Sequence, residues 1–265
     1  MSIEYLIKED TLKAVANITR DICNSEKEYT PRNMVNAVND IYEAGVNYGP
    51  IRSLEEYNTW WDNYQNTNKG NCVGRFAGSS WNIYTFKPQY DMKPTTAQSM
   101  FNAFNYFKDP IDLVNTLDEL GVSLDFSDCT TLTDAFSDAH ISRIGTIDLK
   151  SIGGSIYKYH NCFANSTIET IENMIFYEKE LDYLNFFYAA RNLVNLNATG
   201  VISNNGLDFS DCTLLSHDSL ISINNCLKDF SGTDESRVIV YGTVNLEKLT
   251  EDEIAAVNAK GWTVA

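Results

Sequence analysis

A pattern of apolar residues recurs along the second half of the chain. Three segments share an aromatic residue and two later aliphatic residues at the same offsets: Phe136-x-x-Ala139-x-Ile141-x-x-Ile144, Phe163-x-x-Ser166-x-Ile168-x-x-Ile171 and Tyr188-x-x-Arg191-x-Leu193-x-x-Leu196. The aromatic positions are 27 and 25 residues apart, and a second pattern, Asp-Phe-Ser-Asp-Cys-Thr, occurs at 125–130 and again at 208–213. Self-similarity at roughly 20 to 30 residues is typical of a solenoid, in which each unit buries its apolar side against the next.

The distribution of proline favours a continuous ladder of strands in this region. All five prolines lie before residue 111. Proline lacks a backbone N–H and is therefore excluded from strands inside a sheet. We expect an α/β solenoid from about residue 96 onward, with parallel strands near 124–126, 147–149 and 207–209. Residues 111–123 and 172–186 depart from the repeat.

Helix signals lie at both ends of the chain. Residues 1–45 predict two short amphipathic helices, too small to be stable alone, whose apolar faces dock on the rest of the chain, on a second copy of it or on a larger assembly. The predicted attachment residues are Leu12, Val15, Met34, Val38 and Ile41. Near the C-terminus, Ser216 and Thr250 have the context of helix N-caps, Glu253 completes a capping box, and Gly261 ends the last helix. We expect the final units to cap the stack.

Residues 46–95 form an aromatic, turn-rich connecting segment. Tyrosine and tryptophan are enriched at protein interfaces, and their flat faces also suit sugars. The candidate contact residues are Tyr57, Trp60, Tyr64 and Trp81. The alternative is that these aromatic residues pack over the first repeat, which we favour for Trp61.

Residues able to carry chemistry follow the repeat instead of converging on one site. The six cysteines form no C-x-x-C pair, and Cys129 and Cys212 hold equivalent positions, which predicts structural thiols that satisfy turn carbonyls. The histidines at 140, 160 and 217 lack metal-binding spacing. Four aspartates recur beside predicted turns, where Asp stabilises the bend: Asp125, Asp128, Asp208 and Asp211. We predict no catalytic residue, no metal and no cofactor.

The net charge of −16 argues against two classes of partner. Nucleic acid requires basic residues to neutralise phosphates, and anionic membrane surfaces attract basic segments. The N-terminal segment has no basic or apolar signal region, so we expect a protein that is made in the cytoplasm without a signal peptide.

The repeat resembles a known family. Ala135-Phe136-x-x-Ala139-x-Ile141-x-x-Ile144 is similar to the BspA-like branch of the leucine-rich repeats, whose units read Ala-Phe-x-x-Cys-x-x-Leu-x-x-Ile. Residues 6–38, 61–94 and 246–263 resemble segments of repeat-bearing tail and virion structural proteins from phages of gut bacteria.

This resemblance implies a non-enzymatic phage virion protein (tail, fibre or capsid-associated) that serves in structure and host recognition. Its expected parts are a helical attachment module at 1–45, a connecting segment at 46–95 and a leucine-rich-repeat domain with a C-terminal cap at 96–265. The expected partners are other virion proteins, a host-surface glycan or protein, and a second copy of the chain, with no nucleic acid and no membrane. Two alternatives are a bacterial leucine-rich-repeat surface adhesin and a fibre enzyme that hydrolyses glycans with paired carboxylates.

Overall fold

The computed structural model describes residues 70–77, 88, 91–105, 109–152, 158–179 and 183–265. The chain divides into two compact units, and the second, Leu54–Ser80 with Lys87–Ala265, contains all of these residues. The predicted helical module at 1–45 and most of the predicted connecting segment lie outside the described residues. The predicted domain bounds therefore stay predictions.

The described part has an α/β architecture with a parallel four-stranded sheet and a few short helices. The sheet has the order β1 (Ile111–Asp112), β2 (Ile141–Asp148), β3 (Thr170–Phe176) and β4 (Asn195–Gly200). Helix α1 (Leu113–Leu120) follows β1 directly. The C-terminal part contains α2 (His217–Cys226), β5 (Arg237–Ile239), α3 (Gly242–Leu246), α4 (Glu251–Ala259) and β6 (Trp262–Val264), and β5 pairs with β6 in parallel.

The strand predictions are confirmed at one place and wrong at two. The prediction near 147–149 falls at the end of β2. The segments at 124–126 and 207–209 make only single parallel bridges, Met92↔Leu124 and Asp208↔Val240. The strand pairing ends at these bridges because a side chain bends the backbone. Asp125 and Asp208 each accept a hydrogen bond from the backbone N–H two residues later, at 2.8 Å in both cases, and the resulting turn ends the extended segment.

Between the strands, the chain forms pairs of tight turns that hydrogen-bond from one segment to the next. Alternate N–H groups of one turn segment, at Leu132, Asp134, Phe136 and Asp138, donate to the carbonyls of Lys158, His160, Cys162 and Ala164. Each described turn segment between residues 97 and 190 contains two non-glycine residues with positive φ, four positions apart: Ser99 and Ala103, Asp134 and Asp138, Asn161 and Asn165, Asn185 and Ala189. Left-handed alanine is uncommon, so tertiary hydrogen bonds impose this geometry.

The same hydrogen-bond pattern begins before residue 96. The backbone N–H groups of Cys72, Gly74 and Phe76 donate to the carbonyls of residues 96, 98 and 100 at 2.7 to 2.9 Å. Phe76 and Cys72 are fully buried. Residues 70–77 therefore pack on the following segment in the manner of the later segments.

A column of aromatic rings runs through the interior. Neighbouring rings of the column lie 5.0 to 6.0 Å apart, centroid to centroid. Its members are Phe76, Phe101, Phe136, Phe163, Phe187, Phe209 and Tyr241. All seven are buried. Each close aromatic pair contributes about 0.5–1.5 kcal/mol beyond the area that it buries, so the column is a major source of cohesion between segments.

The third repeat is out of register with the prediction, which had placed Tyr188 at the aromatic position. The buried ring is Phe187, and Tyr188 is 55% exposed. The step from Phe163 to Phe187 is one residue shorter than the step from Ile168 to Leu193, so the third unit has one extra residue before Leu193. Because the prediction aligned the repeats on their aliphatic positions, it assigned Tyr188 in place of Phe187 to the aromatic position.

Helix α2 takes the place of a fifth strand beside β4. Ser219 Oγ accepts from Leu196 N at 2.9 Å, and Ser222 Oγ accepts from Ala198 N at 3.1 Å. The same hydroxyls donate to the carbonyls of Val194 and Leu196. The serines thus satisfy backbone groups that an open sheet edge would leave unpaired.

The predicted helix ends near the C-terminus are confirmed. Ser216 is the N-cap of α2, with its Oγ accepting from Ser219 N at 3.2 Å. Thr250 and Glu253 form a reciprocal capping box at the start of α4. Gly261, with φ of +83°, follows the last turn of α4 and turns the chain into β6.

Candidate interaction surface

The residues predicted to make contacts all lie outside the described residues. The contact set is Tyr57, Trp60, Tyr64 and Trp81, and the attachment set is Leu12, Val15, Met34, Val38 and Ile41. Both sets stay predictions.

The cysteines have the structural role that their repeat positions predict. Cys129 Sγ donates to the carbonyl of Thr131 at 3.0 Å, and Cys212 Sγ lies 3.8 Å from the carbonyl of Phe187. Burial raises the pKa of Cys129 to about 11 and that of Cys212 to about 12, so neither is a thiolate at neutral pH. In the last segment Asn245 takes over this function, with Nδ2 within 3.2 Å of three carbonyls.

The aspartates of the repeated motif bind backbone or lysine, and equivalent positions have diverged. Asp125 and Asp208 make the same bend, which confirms their predicted role. Asp128 instead lies 3.1 Å from Lys93 Nζ, and Asp211 accepts from the N–H of Ala189 at 3.0 Å. The bond to Ala189 supports one of the left-handed alanines described above. These four carboxylates therefore hold the backbone and the neighbouring segments together.

The histidines do not come together. His217 Nε2 lies 2.9 Å from Glu253 Oε1, which links the first turn of α2 to the first turn of α4. His140 and His160 are half-buried in separate segments. Within the described ranges, no group of three or more His, Cys, Asp or Glu side chains is arranged to hold a metal ion.

Strands β2, β3 and β4 carry polar side chains between their buried aliphatic residues. We call this set the polar sheet face: Arg143, Thr146, Thr170, Glu172, Asn173, Asn195, Asn197 and Thr199. All eight are exposed or half-buried. Parallel pairing places Arg143 beside Thr170, and Thr170 beside Asn195, so the side chains form rows across the strands. Neighbouring strands are about 4.8 Å apart, which sets the spacing of each row.

Hydrogen bonds between side chains organise the polar sheet face. Asn195 Nδ2 donates to Thr170 Oγ1 at 3.3 Å, and Thr199 Oγ1 donates to Asn173 Oδ1 at 3.0 Å.

At one end of the face Arg143 binds Glu172 and lies 3.4 Å from Asp112. Exposed ion pairs of this kind contribute at most about 1 kcal/mol, so their main effect is to orient the side chains. Apart from Arg143 and Glu172, the polar sheet face offers neutral hydrogen-bond donors and acceptors.

A cavity of about 180 Å³ lies between α1 and β2, beside the polar sheet face. We call it the α1–β2 cavity. Its buried floor consists of Leu113, Leu117, Phe126 and Ile144. Its less buried walls and rim consist of Val114, Asp118, Val122, Ser123, Leu124, Gly145 and Thr146.

The sequence interpretation missed this cavity because it assigned no element to 111–123. Signals for a helix were present there. Asp112 is an N-cap whose Oδ1 accepts from Asn115 N at 3.0 Å, and Gly121 follows the helix with φ of +66°. Both residue types are preferred at these positions.

Comparison of the chain with models of protein families, with curated proteins and with solved structures finds no match. In the described part of the chain, no helix has the length and apolar character needed to cross a bilayer.

Proposed function

We propose that this protein is a non-catalytic leucine-rich-repeat solenoid that serves as a structural and recognition component of a phage particle. The polar sheet face is its contact surface for protein or glycan. The observation that carries this proposal is the arrangement of that face, because binding residues are commonly displayed on rigid scaffolds, and repeat proteins use extended surfaces for contact.

The stacking of successive segments supports the solenoid. Segments from residue 70 to the C-terminal part each pass backbone hydrogen bonds to the next, and each contributes one ring to the aromatic column. Such a stack has no core separate from its interfaces, so stability is shared between neighbours. This arrangement suits a protein that keeps an extended contact surface in a fixed conformation.

The pairing of the charged groups on the polar sheet face favours a role in binding a partner and not a role in catalysis. Arg143 lies between two carboxylates, and the hydrogen bond with Glu172 raises the pKa of its guanidinium. A general acid or base needs a pKa near the working pH, whereas the terminal nitrogens of Arg143 keep their protons because its pKa is raised further above neutral. They are suited to hydrogen bonding.

Assignment to a phage particle rests on the resemblance of residues 6–38, 61–94 and 246–263 to virion proteins. Mass spectrometry of purified particles, with an antibody against the recombinant protein as a second detection, tests it. We expect the protein in a fixed ratio to the major structural proteins. Its absence from washed particles, with its presence in the cell lysate, would refute the proposal.

Attachment of the protein to the particle has its own test. We expect deletion of residues 1–45 to leave the repeat region folded, by circular dichroism, and to abolish incorporation into particles. Normal incorporation of the truncated protein would place attachment elsewhere, with the aromatic segment containing Trp60 and Trp81 as the next candidate.

The contact surface is tested with fluorescently labelled protein and intact cells of the bacterium that propagates the particle. The double variant Thr146→Ala, Asn197→Ala should bind the cells several-fold more weakly than the unaltered protein. Ser210→Ala, an exposed serine away from the sheet, is the matched control. Equal binding by all three proteins would contradict a role for the polar sheet face.

A further inference from the structure

Gly145 occupies a position in β2 where the backbone does not require glycine. Every other glycine in the described part of the chain has a positive φ, a conformation that favours glycine. A Cβ added at Gly145 would find its nearest neighbours at 3.8 Å, Val114 Cγ2, and 3.9 Å, Glu172 Oε2, which are ordinary contact distances. What glycine preserves here is the open space of the α1–β2 cavity, and close approach of a ligand is one of the reasons for glycine inside a strand.

The size of the α1–β2 cavity limits what it can hold. At about 180 Å³ it is smaller than the roughly 300–1,000 Å³ of pockets that take drug-sized ligands or cofactors. Its floor is aliphatic and aromatic, and its walls include Val114, Val122 and Leu124. A single side chain with an unbranched apolar stem matches these dimensions.

The rim of the cavity is acidic. Asp118 lines it, and Asp91 binds the backbone N–H and hydroxyl of the lining residue Ser123 at 2.8 and 2.9 Å. Glu172 Oε1 is bound to Arg143, while its Oε2 faces Gly145. Arg143 is balanced by Glu172 and Asp112, which leaves the charges of Asp118 and Asp91 in excess.

The electrostatics of α1 add to this negative charge. The last turn of the helix contains Asp118 and Glu119 and no basic residue. Carboxylates at a helix C-terminus are unfavourable because the carbonyl end of the helix is itself partly negative, and a cation there is stabilising. A positively charged group at the rim would relieve this repulsion.

We propose that the α1–β2 cavity binds a lysine side chain of a protein partner. The butyl stem packs on the walls formed by Val114, Val122 and Leu124, and the ammonium group lies at the rim beside Asp118. Lysine fits because it carries a compact charge on a flexible four-carbon stem that packs along apolar surface. This inference deepens the proposed contact function and rests on it, since it names the chemistry of one contact.

The test uses n-butylammonium, which is the lysine side chain alone, as the probe. It is titrated at constant ionic strength into the full chain labelled with ¹³C at the methyl groups of Ile, Leu and Val. We expect saturable shifts at Val114, Leu117, Leu124 and Ile144. The neutral probe n-butanol and the stemless probe methylammonium should each bind at least several-fold more weakly.

Two variants locate the binding. Gly145→Val fills the cavity with a side chain suited to a strand and should abolish saturation, whereas Asp118→Asn keeps the shape and should weaken binding several-fold. Asp234→Asn removes an exposed charge outside the cavity and should bind as the unaltered protein does. The folding of each variant is checked by its methyl spectrum, and Asp118→Asn keeps the test valid if Gly145→Val fails to fold.

Three results would overturn the inference. Equal binding of n-butanol would make the cavity a site for a neutral apolar side chain. Unchanged binding by Gly145→Val would place the binding outside the cavity, and no saturable shift at all would make the cavity a packing defect. The contact function fails separately: it is contradicted if the polar-sheet-face variant binds cells normally, whatever butylammonium does.

Discussion

The middle segments and the C-terminal segments keep the same stack by different means. In the middle, the backbone of each strand is satisfied by the backbone of the next, from β2 through β3 to β4. Beyond β4 a helix follows in place of a strand, and side chains of Ser219 and Ser222 make the bonds to the last strand. The aromatic column continues across this junction through Phe187 and Phe209. The aromatic column thus continues into the C-terminal segments, while hydrogen bonds from serine side chains replace backbone pairing at the edge of the sheet.

Lysine side chains complete the C-terminal segments. Lys248 Nζ donates to the carbonyls of Thr213 and Leu215 at 2.8 and 2.7 Å, and Lys260 Nζ donates to the carbonyl of Asn224 at 2.9 Å. Burial lowers the pKa of Lys248. In the middle of the stack, such carbonyls accept hydrogen bonds from the backbone of the next turn segment. In the C-terminal segments, the ammonium groups of Lys248 and Lys260 donate these hydrogen bonds.

The largest effect is expected at the ring that joins the two regions. Phe187→Ala removes a buried ring between Phe163 and Phe209 and should cost about 3–5 kcal/mol of unfolding free energy in urea titrations. Tyr188→Ala, the adjacent and exposed aromatic residue, should change it by less than about 0.5 kcal/mol. Equal costs would contradict the register described for the third segment.

The second effect concerns the change from strand to helix. The double variant Ser219→Ala, Ser222→Ala leaves the N–H groups of Leu196 and Ala198 unpaired at a covered edge, at about 1–3 kcal/mol for each buried group. Hydrogen exchange should accelerate at these two amides and stay slow at Ile171 in β3. Unchanged exchange would mean that the serines do not seal the edge.

The third effect tests the cap of the last helix. Thr250→Ala removes the N-cap of α4 and should cost about 1 kcal/mol, seen as a lower thermal midpoint. Thr213→Ala, an exposed threonine outside the helices, is the matched control and should have little effect. A cost as large as that of Phe187→Ala would show that the capping unit folds together with the whole stack.

The fourth effect compares two glycines in the sheet. Gly145→Ala should stabilise the protein by about 0.5–1 kcal/mol, because alanine fits the backbone of β2 and has less freedom when unfolded. Gly200→Ala should destabilise it, since a Cβ there would lie 2.0 Å from the carbonyl oxygen of Phe176 and φ is +85°. Calorimetry of both variants measures whether each substitution raises or lowers the stability. Destabilisation by Gly145→Ala would contradict the open space at that position.

The smallest effect is a dependence on pH. The hydrogen bond from the backbone N–H of Thr250, followed by that of His217, lowers the pKa of Glu253 from its usual 4.5. A carboxyl whose folded pKa is lowered contributes stability above its unfolded pKa, and this is lost as pH falls through the folded value. Glu253→Gln should therefore be less stable than the unaltered protein near pH 7, and the difference should shrink in acid. A constant difference would contradict this.

Local sequence signals predicted several features correctly. The caps at Ser216 and Thr250, the bends at Asp125 and Asp208 and the buried role of Cys129 depend on residue types that act within a few positions. The site was harder to predict. The polar sheet face was missed because β3 and β4 were not recognised, and most of β3 falls within 172–186, which departs from the apolar repeat.

By itself, the sequence determined the period of the apolar residues, the parallel α/β character and the helix ends, because each follows from spacing and from local backbone preference. The tertiary structure alone decided which aromatic residue of the third repeat is buried, since one extra residue before Leu193 is absorbed only when segments stack. It also decided the left-handed backbone at Ala103 and Ala189, which alanine avoids unless neighbouring segments hold it. The α1–β2 cavity belongs to the same group, because a space between a helix and a strand exists only when both are in place.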